Sequence, residues 1–169
     1  MIKQSRRQNP RKRPARTAPK TVTASVIVKR SAVHGRGVFA ARPFAKGSRI
    51  IEYTGRRVLW STIPDELDDP RMYYFGLDDG KTVIDPSIGG NEARFINHSC
   101  APNCEIREVR GRIFVHAMRN IRAGEELFYD YHLETDPDVP RTKEIEAEAP
   151  CRCRSENCRG TLLAPVATR

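Results

Sequence analysis

Residues 94–104, RFINHSCAPNC, concentrate hydrogen-bonding and metal-binding side chains in a short span. Asn97, His98 and Ser99 are followed at once by Cys100 and, past Ala-Pro-Asn, by Cys104. A second group stands near the C-terminus. Residues 150–160 read PCRCRSENCRG and put Cys151, Cys153 and Cys158 in a C-x-C-x4-C set. Three closely spaced thiols in a reducing compartment suggest zinc. A structural zinc site wants four ligands in a tetrahedron, with cysteine sulfurs about 2.3 Å from the ion. Cys100 and Cys104 are the candidates for the fourth place, with histidine less favoured, so the C-terminus is expected to fold back onto residues 94–104. A third group is aromatic: Tyr73 and Tyr74 in MYYFGLDDG, and Tyr129 and Tyr131 in GEELFYDY. Taken alone, tyrosines on strands suit core packing, and an Asn-His pair suits a polar turn satisfied by local backbone hydrogen bonds.

The elements that must position these groups read as short strands. VTASVIV, residues 22–28, is rich in β-branched residues and predicts a strand. In the following HGRGVFAARPFAKGSRII, the glycines at 35, 37 and 47 predict turns. IIEYTGRRV predicts a strand pair, or one strand bent at Gly55. Residues 61–72 are polar and proline-bounded, an excursion with room for one helical turn. Turn residues between apolar flanks predict one hairpin around residues 78–81 and another around residues 110–112. Ile113, Val115 and Ala117 alternate with Phe114, His116 and Met118, as the two faces of a strand do. A turn at Ala123 and Gly124 precedes an aromatic strand. No segment carries a sustained helical period, so the fold class is mostly β.

Charge is unevenly distributed. The net charge is +9, and eight positive charges with no acid lie in residues 1–20, leaving +1 for the remainder. That tail has three prolines and few apolar residues, and it reads as a disordered basic arm capable of weak, salt-dependent nucleic-acid contact. Within it, ARTAPK at residues 15–20 has the flavour of a histone tail and marks Lys20 as a self-methylation candidate. Residues 134–149 are acidic and proline-containing and read as a linker. No apolar run approaches the about 20 residues needed to span a bilayer. The basic N-terminus has no apolar stretch behind it, which predicts an intracellular chain with no secretory signal and no membrane partner.

Four motifs in order, HGRGVFA (34–40), RFINHSC (94–100), GEELFYDY (124–131) and CRCRSENC (151–158), give the chain its resemblance to SET-domain protein lysine methyltransferases with a post-SET zinc motif. The resemblance runs from about residue 22 to residue 163. It implies a SET-domain β-clip fold: short sheets around a knot-like crossing of the NHS and YDY segments, short helices, and a zinc-bound post-SET tail. On this reading residues 21–133 are the SET domain, 134–149 the acidic linker and 150–169 the post-SET segment.

The resemblance also implies S-adenosylmethionine as cofactor and a structural zinc. Asn97 and His98 would contact the cofactor, with Arg94 beside it. The backbone around Arg36 and Gly37 would hold its methionine part, Tyr53 would be a neighbour, and Leu162 with Leu163 would cover the adenine. Cys100 would join Cys151, Cys153 and Cys158 on zinc, leaving Cys104 unligated. Tyr131 would be the main catalytic residue, Tyr73 a second channel tyrosine, with Tyr74 packing in the core. Tyr129 would limit the reaction to mono- or dimethylation. Two departures stand out: Arg36 occupies a position where many relatives carry a large residue such as tryptophan, and no cysteine-rich segment precedes the domain. The implied substrate is a protein with an exposed lysine, a histone tail or another basic protein. The implied compartment is the nucleus in a eukaryote, or the cytoplasm or nucleoid in a bacterium. The alternative is a SET-like adaptor that binds chromatin or nucleic acid through its basic tail.

Overall fold

The computed structural model describes residues 24–63, 74–135 and 139–165. The basic tail with Lys20, most of the 61–72 excursion, and Tyr73 lie outside the described residues.

The first two strands, β1 (Val26–Arg30) and β2 (Arg36–Ala40), form an antiparallel hairpin with Val26 opposite Ala40. β1 therefore begins later than the β-branched run suggested. Gly37, expected in a turn, lies inside β2. A Cβ there would collide with the Glu126 carboxylate, so the glycine makes room for a close neighbour rather than for a bend. IIEYTGRRV divides into β3 (Arg49–Tyr53) and β4 (Arg56–Leu59), which enter different sheets. Gly55 sits between them where a Cβ would strike the Asp85 carbonyl.

β4 pairs with β6 (Thr82–Asp85), which also pairs with β5 (Phe75–Gly76), closing the expected hairpin over residues 78–81. Trp60–Thr62 form a single 3-10 turn at the start of the polar excursion. The third sheet has β9 (Arg112–Ala117) between β3 and β8 (Cys104–Val109), and the β8–β9 hairpin turns through Arg110 and Gly111, both at positive φ. Ile113, Val115 and Ala117 are buried as the alternation predicts, but Phe114 on the opposite face is buried too. Arg49 and Arg112 lay their guanidinium groups 4.8 and 5.1 Å from its ring centre, so charged side chains cover an apolar one.

Two very short strands matter most. β7 (Asn97–His98) and β10 (Phe128–Tyr129) pair in parallel, Asn97 opposite Phe128 and His98 opposite Tyr129. Parallel partners cannot be joined by a tight turn, and these lie 31 residues apart in sequence, with the β8–β9 hairpin between them. Asn103, almost fully buried, fastens the same junction. Its Nδ2 donates to the Glu126 carbonyl (2.7 Å) and its Oδ1 accepts from Phe128 N–H (2.8 Å). Val38, Ile96, Ile113, Val115, Ile121 and Leu127 fill the core beneath.

The acidic stretch read as a linker contains a short helix, α1 (Lys143–Glu148), capped by the Thr142 hydroxyl accepting from Ile145 N–H. Six residues are too few for a hydrophobic period to register, so only the Thr-Lys-Glu start could have signalled it. Among the described residues no helix is long and apolar enough to cross a membrane.

Candidate functional site

The C-terminal segment returns to the 94–104 stretch as expected. Cys100 Sγ and Cys151 Sγ lie 3.7 Å apart. Four sulfurs about 2.3 Å from a tetrahedral ion would stand about 3.8 Å from one another, so this pair already has the required separation. Each of the four cysteines 100, 151, 153 and 158 receives a backbone N–H: from Arg159, Cys153, Cys100 and Gly160, at 3.4 to 3.5 Å. Donors aimed at every sulfur suit thiolates, not thiols. Without a cation the group cannot ionise fully. Burial pushes Cys100 and Cys151 up. Burial also opposes ionisation of Cys153, but the Cys100 N–H and the Ser155 hydroxyl outweigh it and bring that thiol down to about 5. A divalent cation resolves the conflict, so the residues fit zinc.

Cys104, the other candidate for the fourth place, is not in the donor group found among the described residues. It sits at 0 % exposure on β8 with its thiol pushed up to about 12 by desolvation, and it donates to the Asn103 side chain. The tightest donor group is His98, Cys100, Cys151 and Cys153, whose ligating atoms lie within 4.8 Å of one another. His98 thus competes with the more exposed Cys158, whose thiol hydrogen-bonds Cys151. His98 Nδ1 faces both Tyr131 N–H (3.2 Å) and Asp130 Oδ1 (3.5 Å), and Nε2 lies 3.3 Å from Cys100 Sγ. Burial keeps the ring neutral: it lowers the His98 pKa, with Asp130 opposing and Arg159 and His132 reinforcing. With its proton on Nε2 the ring would donate to a Cys100 thiolate, and with its proton on Nδ1 it would offer Nε2 to a metal.

Beside the cysteines opens a pocket of about 370 Å³, within the range of small-molecule sites, lined by Val33, His34, Asn97, His98, Tyr131, Pro150, Arg152, Cys153 and Leu162. Four of the residues expected at the cofactor or the reacting atoms, Asn97, His98, Tyr131 and Leu162, share its wall. Asn97 has a further task. Its Nδ2 donates to the carbonyls of His34 (3.2 Å) and Arg36 (2.9 Å), within reach of Glu126 Oε1 (3.2 Å), and so fastens the loop between β1 and β2 onto β7. Arg36 and Arg94 do not line the pocket. Both hold their guanidinium groups over the Phe95 ring, 3.8 and 4.6 Å from its centre, and Arg94 also donates to the Pro86 carbonyl. Leu163, beside Leu162, is buried.

Beneath the pocket runs a file of rings. Tyr53 lies 5.2 Å from Phe75, Phe75 6.3 Å from Tyr129, Tyr129 5.0 Å from Tyr131, and Tyr131 5.3 Å from His98, centre to centre. Tyr53 therefore stands among the aromatic rings, away from the pocket wall. Tyr131 donates its hydroxyl to the Ile96 carbonyl (2.9 Å) and its N–H to His98, two bonds that fix its ring. Burial, with Tyr53 nearby, pushes the Tyr129 hydroxyl pKa far up, so it stays a neutral phenol. Sequence reasoning missed Phe75, Asn103, Asp130 and Arg159. Phe75 could have been found from its alternation with Tyr73, but the polar three act through partners remote in sequence.

The SET-domain family profile matches residues 35–132. The H3 lysine-4 specific histone-lysine N-methyltransferase of Saccharomyces cerevisiae is 39% identical over 149 residues, 81% of this chain and 13% of that protein. Histone-lysine N-methyltransferase 2B of Homo sapiens is 39% identical over 153 residues, 85% of this chain and 5% of that protein. Histone-lysine N-methyltransferase trithorax of Drosophila virilis is 38% identical over 157 residues, 87% of this chain and 4% of that protein. The chain thus spans 13% or less of the length of each of these three relatives.

Proposed function

The chain belongs to the SET-domain family, and from that premise we propose that it transfers a methyl group from S-adenosylmethionine to the ε-amine of a protein lysine. The observation that carries the reading is the shared wall: Asn97, His98, Tyr131 and Leu162 line one pocket, and Tyr131 continues into the aromatic file. Bound S-adenosylmethionine supplies an electrophilic methyl on a cationic sulfur. The pocket wall would hold it, and Cys100, Cys151, Cys153 and Cys158 would hold a structural zinc that docks the C-terminal part of that wall.

The chain's own residues prepare the amine. A lysine has a pKa of about 10.4 in water and must be neutral to act as a nucleophile. Tyr53, Phe75, Tyr129 and Tyr131 surround it with rings, and that desolvation favours the neutral form. The Tyr131 hydroxyl, its hydrogen committed to the Ile96 carbonyl, meets the incoming amine as an acceptor and orients it, which is catalysis by positioning. The phenol of Tyr129 fills space beside the amine and limits the product to one or two methyl groups.

A histone is the proposed substrate, and the relatives' names make histone H3 lysine 4 the first site to examine, with the nucleus as the compartment. The test is incubation of the zinc-loaded protein with radiolabelled S-adenosylmethionine and core histones. Label on a histone that falls at least about 100-fold with Tyr131→Phe is expected. No label with the wild type, over a panel of basic proteins, overturns the reading.

A further inference from the structure

Asp130 and Arg159 belong to segments that sequence reading assigns to separate tasks, yet they meet beside the site. Arg159 Nη1 and Nη2 grip Asp130 Oδ2 and Oδ1 at 2.6 and 2.8 Å, a bidentate fork with both side chains largely buried. Arg159 does more than pair. Its Nη2 also donates to the Leu163 carbonyl (3.2 Å), and its backbone N–H donates to Cys100 Sγ (3.4 Å). Asp130 reaches the other way, to His98 Nδ1 at 3.5 Å and to His132 Nε2 at 3.2 Å. Burial raises the Asp130 carboxyl, but the hydrogen bonds and charge of Arg159, with His132, outweigh it and hold the carboxyl below its usual range. The arginine keeps this arrangement although its Nε has no hydrogen-bond partner among the described residues.

The last of the cysteines, Cys158, lies four residues before Leu162, which lines the pocket. Between the two, Gly160 turns the chain at positive φ, and its carbonyl accepts from Cys151 N–H at 3.0 Å. Beyond Cys158, backbone bonds join Leu162 and Ala164 to Leu133, and among the described residues the side chain of Arg159 reaches the motif carrying Tyr129 and Tyr131.

We propose that Arg159 and Asp130 form a clasp, separate from the metal, that positions the Leu162–Leu163 end of the chain over the cofactor pocket. Both are positioning residues. The cofactor part of the inference rests on the methyl-transfer reading, whereas the clasp itself does not.

The experiment uses the zinc-loaded full chain as wild type, Arg159→Ala, Arg159→Lys and Asp130→Asn. Zinc content, amide hydrogen exchange over residues 149–165 and the Kd for S-adenosylmethionine are measured on each. Expected are unchanged zinc content and at least about tenfold loss of protection at Leu162 and Ala164, whose amides bond the Ala149 and Leu133 carbonyls. Cofactor Kd should rise about tenfold in Arg159→Ala and Asp130→Asn, with partial rescue in Arg159→Lys, which keeps the charge but not the fork. Asp130→Asn keeps shape and leaves the C-terminal segment untouched, so it decides the matter if Arg159→Ala fails to fold. Wild-type protection at Leu162 and Ala164 in Asp130→Asn overturns the clasp. Failure of the wild type to bind S-adenosylmethionine overturns the methyl-transfer reading, and the exchange data still decide the clasp.

Discussion

Tyr129 and Tyr131 are two residues apart in one motif, yet their surroundings separate their roles. Tyr131 keeps an edge on the pocket and has its hydroxyl tied to Ile96 and its amide to His98. Tyr129 is buried and stays neutral. On the proposed mechanism, Tyr129→Phe removes one oxygen and leaves the ring, so it frees space beside the amine. Its products should shift by at least one methyl group toward the di- and trimethyl forms with total turnover changed less than about tenfold, read by mass spectrometry of a substrate peptide. An unchanged product distribution would remove Tyr129 from control of methylation. Asn97 carries a related lesson. A side chain expected at the cofactor is also a brace, since it ties the His34 and Arg36 carbonyls to β7.

The turn after β6 shows how one buried carboxylate organises two elements. Asp85 Oδ1 accepts from Ser87 N–H at 2.9 Å, and Oδ2 accepts from Arg56 on β4 at 3.0 Å. Desolvation opposes its ionisation, but these bonds outweigh it and lower its pKa below the ordinary 3.8. A carboxyl depressed in the folded state contributes stability above its unfolded pKa, and the contribution fades as pH falls through the lower folded value. Asp85→Asn should therefore cost about 1–2 kcal/mol at pH 5 to 7, as expected for hydrogen bonds to a charged group. The difference from wild type should shrink below about pH 4, followed by urea denaturation across that range. A difference that stays constant down to pH 2 would mean that the charge of Asp85 contributes nothing. The hairpins were legible at this scale because each needs only its own turn residues and flanks. The division of IIEYTGRRV between two sheets was not, because it depends on which distant strand each half meets.

For the molecule as a whole, the C-terminal segment is held by the cysteine group, by backbone bonds to Ala149 and Leu133, by the Asp130–Arg159 pair, and by Arg141, which pairs with Glu146 (2.8 Å) and also donates to the Ala164 carbonyl. Structural zinc contributes folding energy directly, so its removal should undock this end while leaving the sheets intact. After chelation, Cys100, Cys151, Cys153 and Cys158 should alkylate readily, at least about tenfold faster than in the zinc-loaded protein. Cys104, buried with its thiol at about 12, should react only in denaturant. Peptide mass spectrometry of alkylated samples measures all five sites. If Cys158 reacts equally fast before and after chelation, His98 and not Cys158 completes the site.

The amino-acid sequence by itself determined what is local or carried by motif. It marked the mostly β class, the two hairpins, the return of the cysteine triplet to residues 94–104, and the family to which NHSC and YDY point. These are legible because alternation, turn chemistry and ligand spacing act over a few residues. The tertiary structure alone decided that His98 meets Tyr131 and that Cys100 meets Cys151. It also decided that Gly37 yields to Glu126 and that Asp130 meets Arg159. Each of these depends on groups 29 or more residues apart in the chain, brought together by the parallel β7–β10 pair and the docked C-terminus. Burial and hydrogen-bond partners across such separations leave no periodic trace in a sequence, because they follow from how strands pair and not from what any one strand contains.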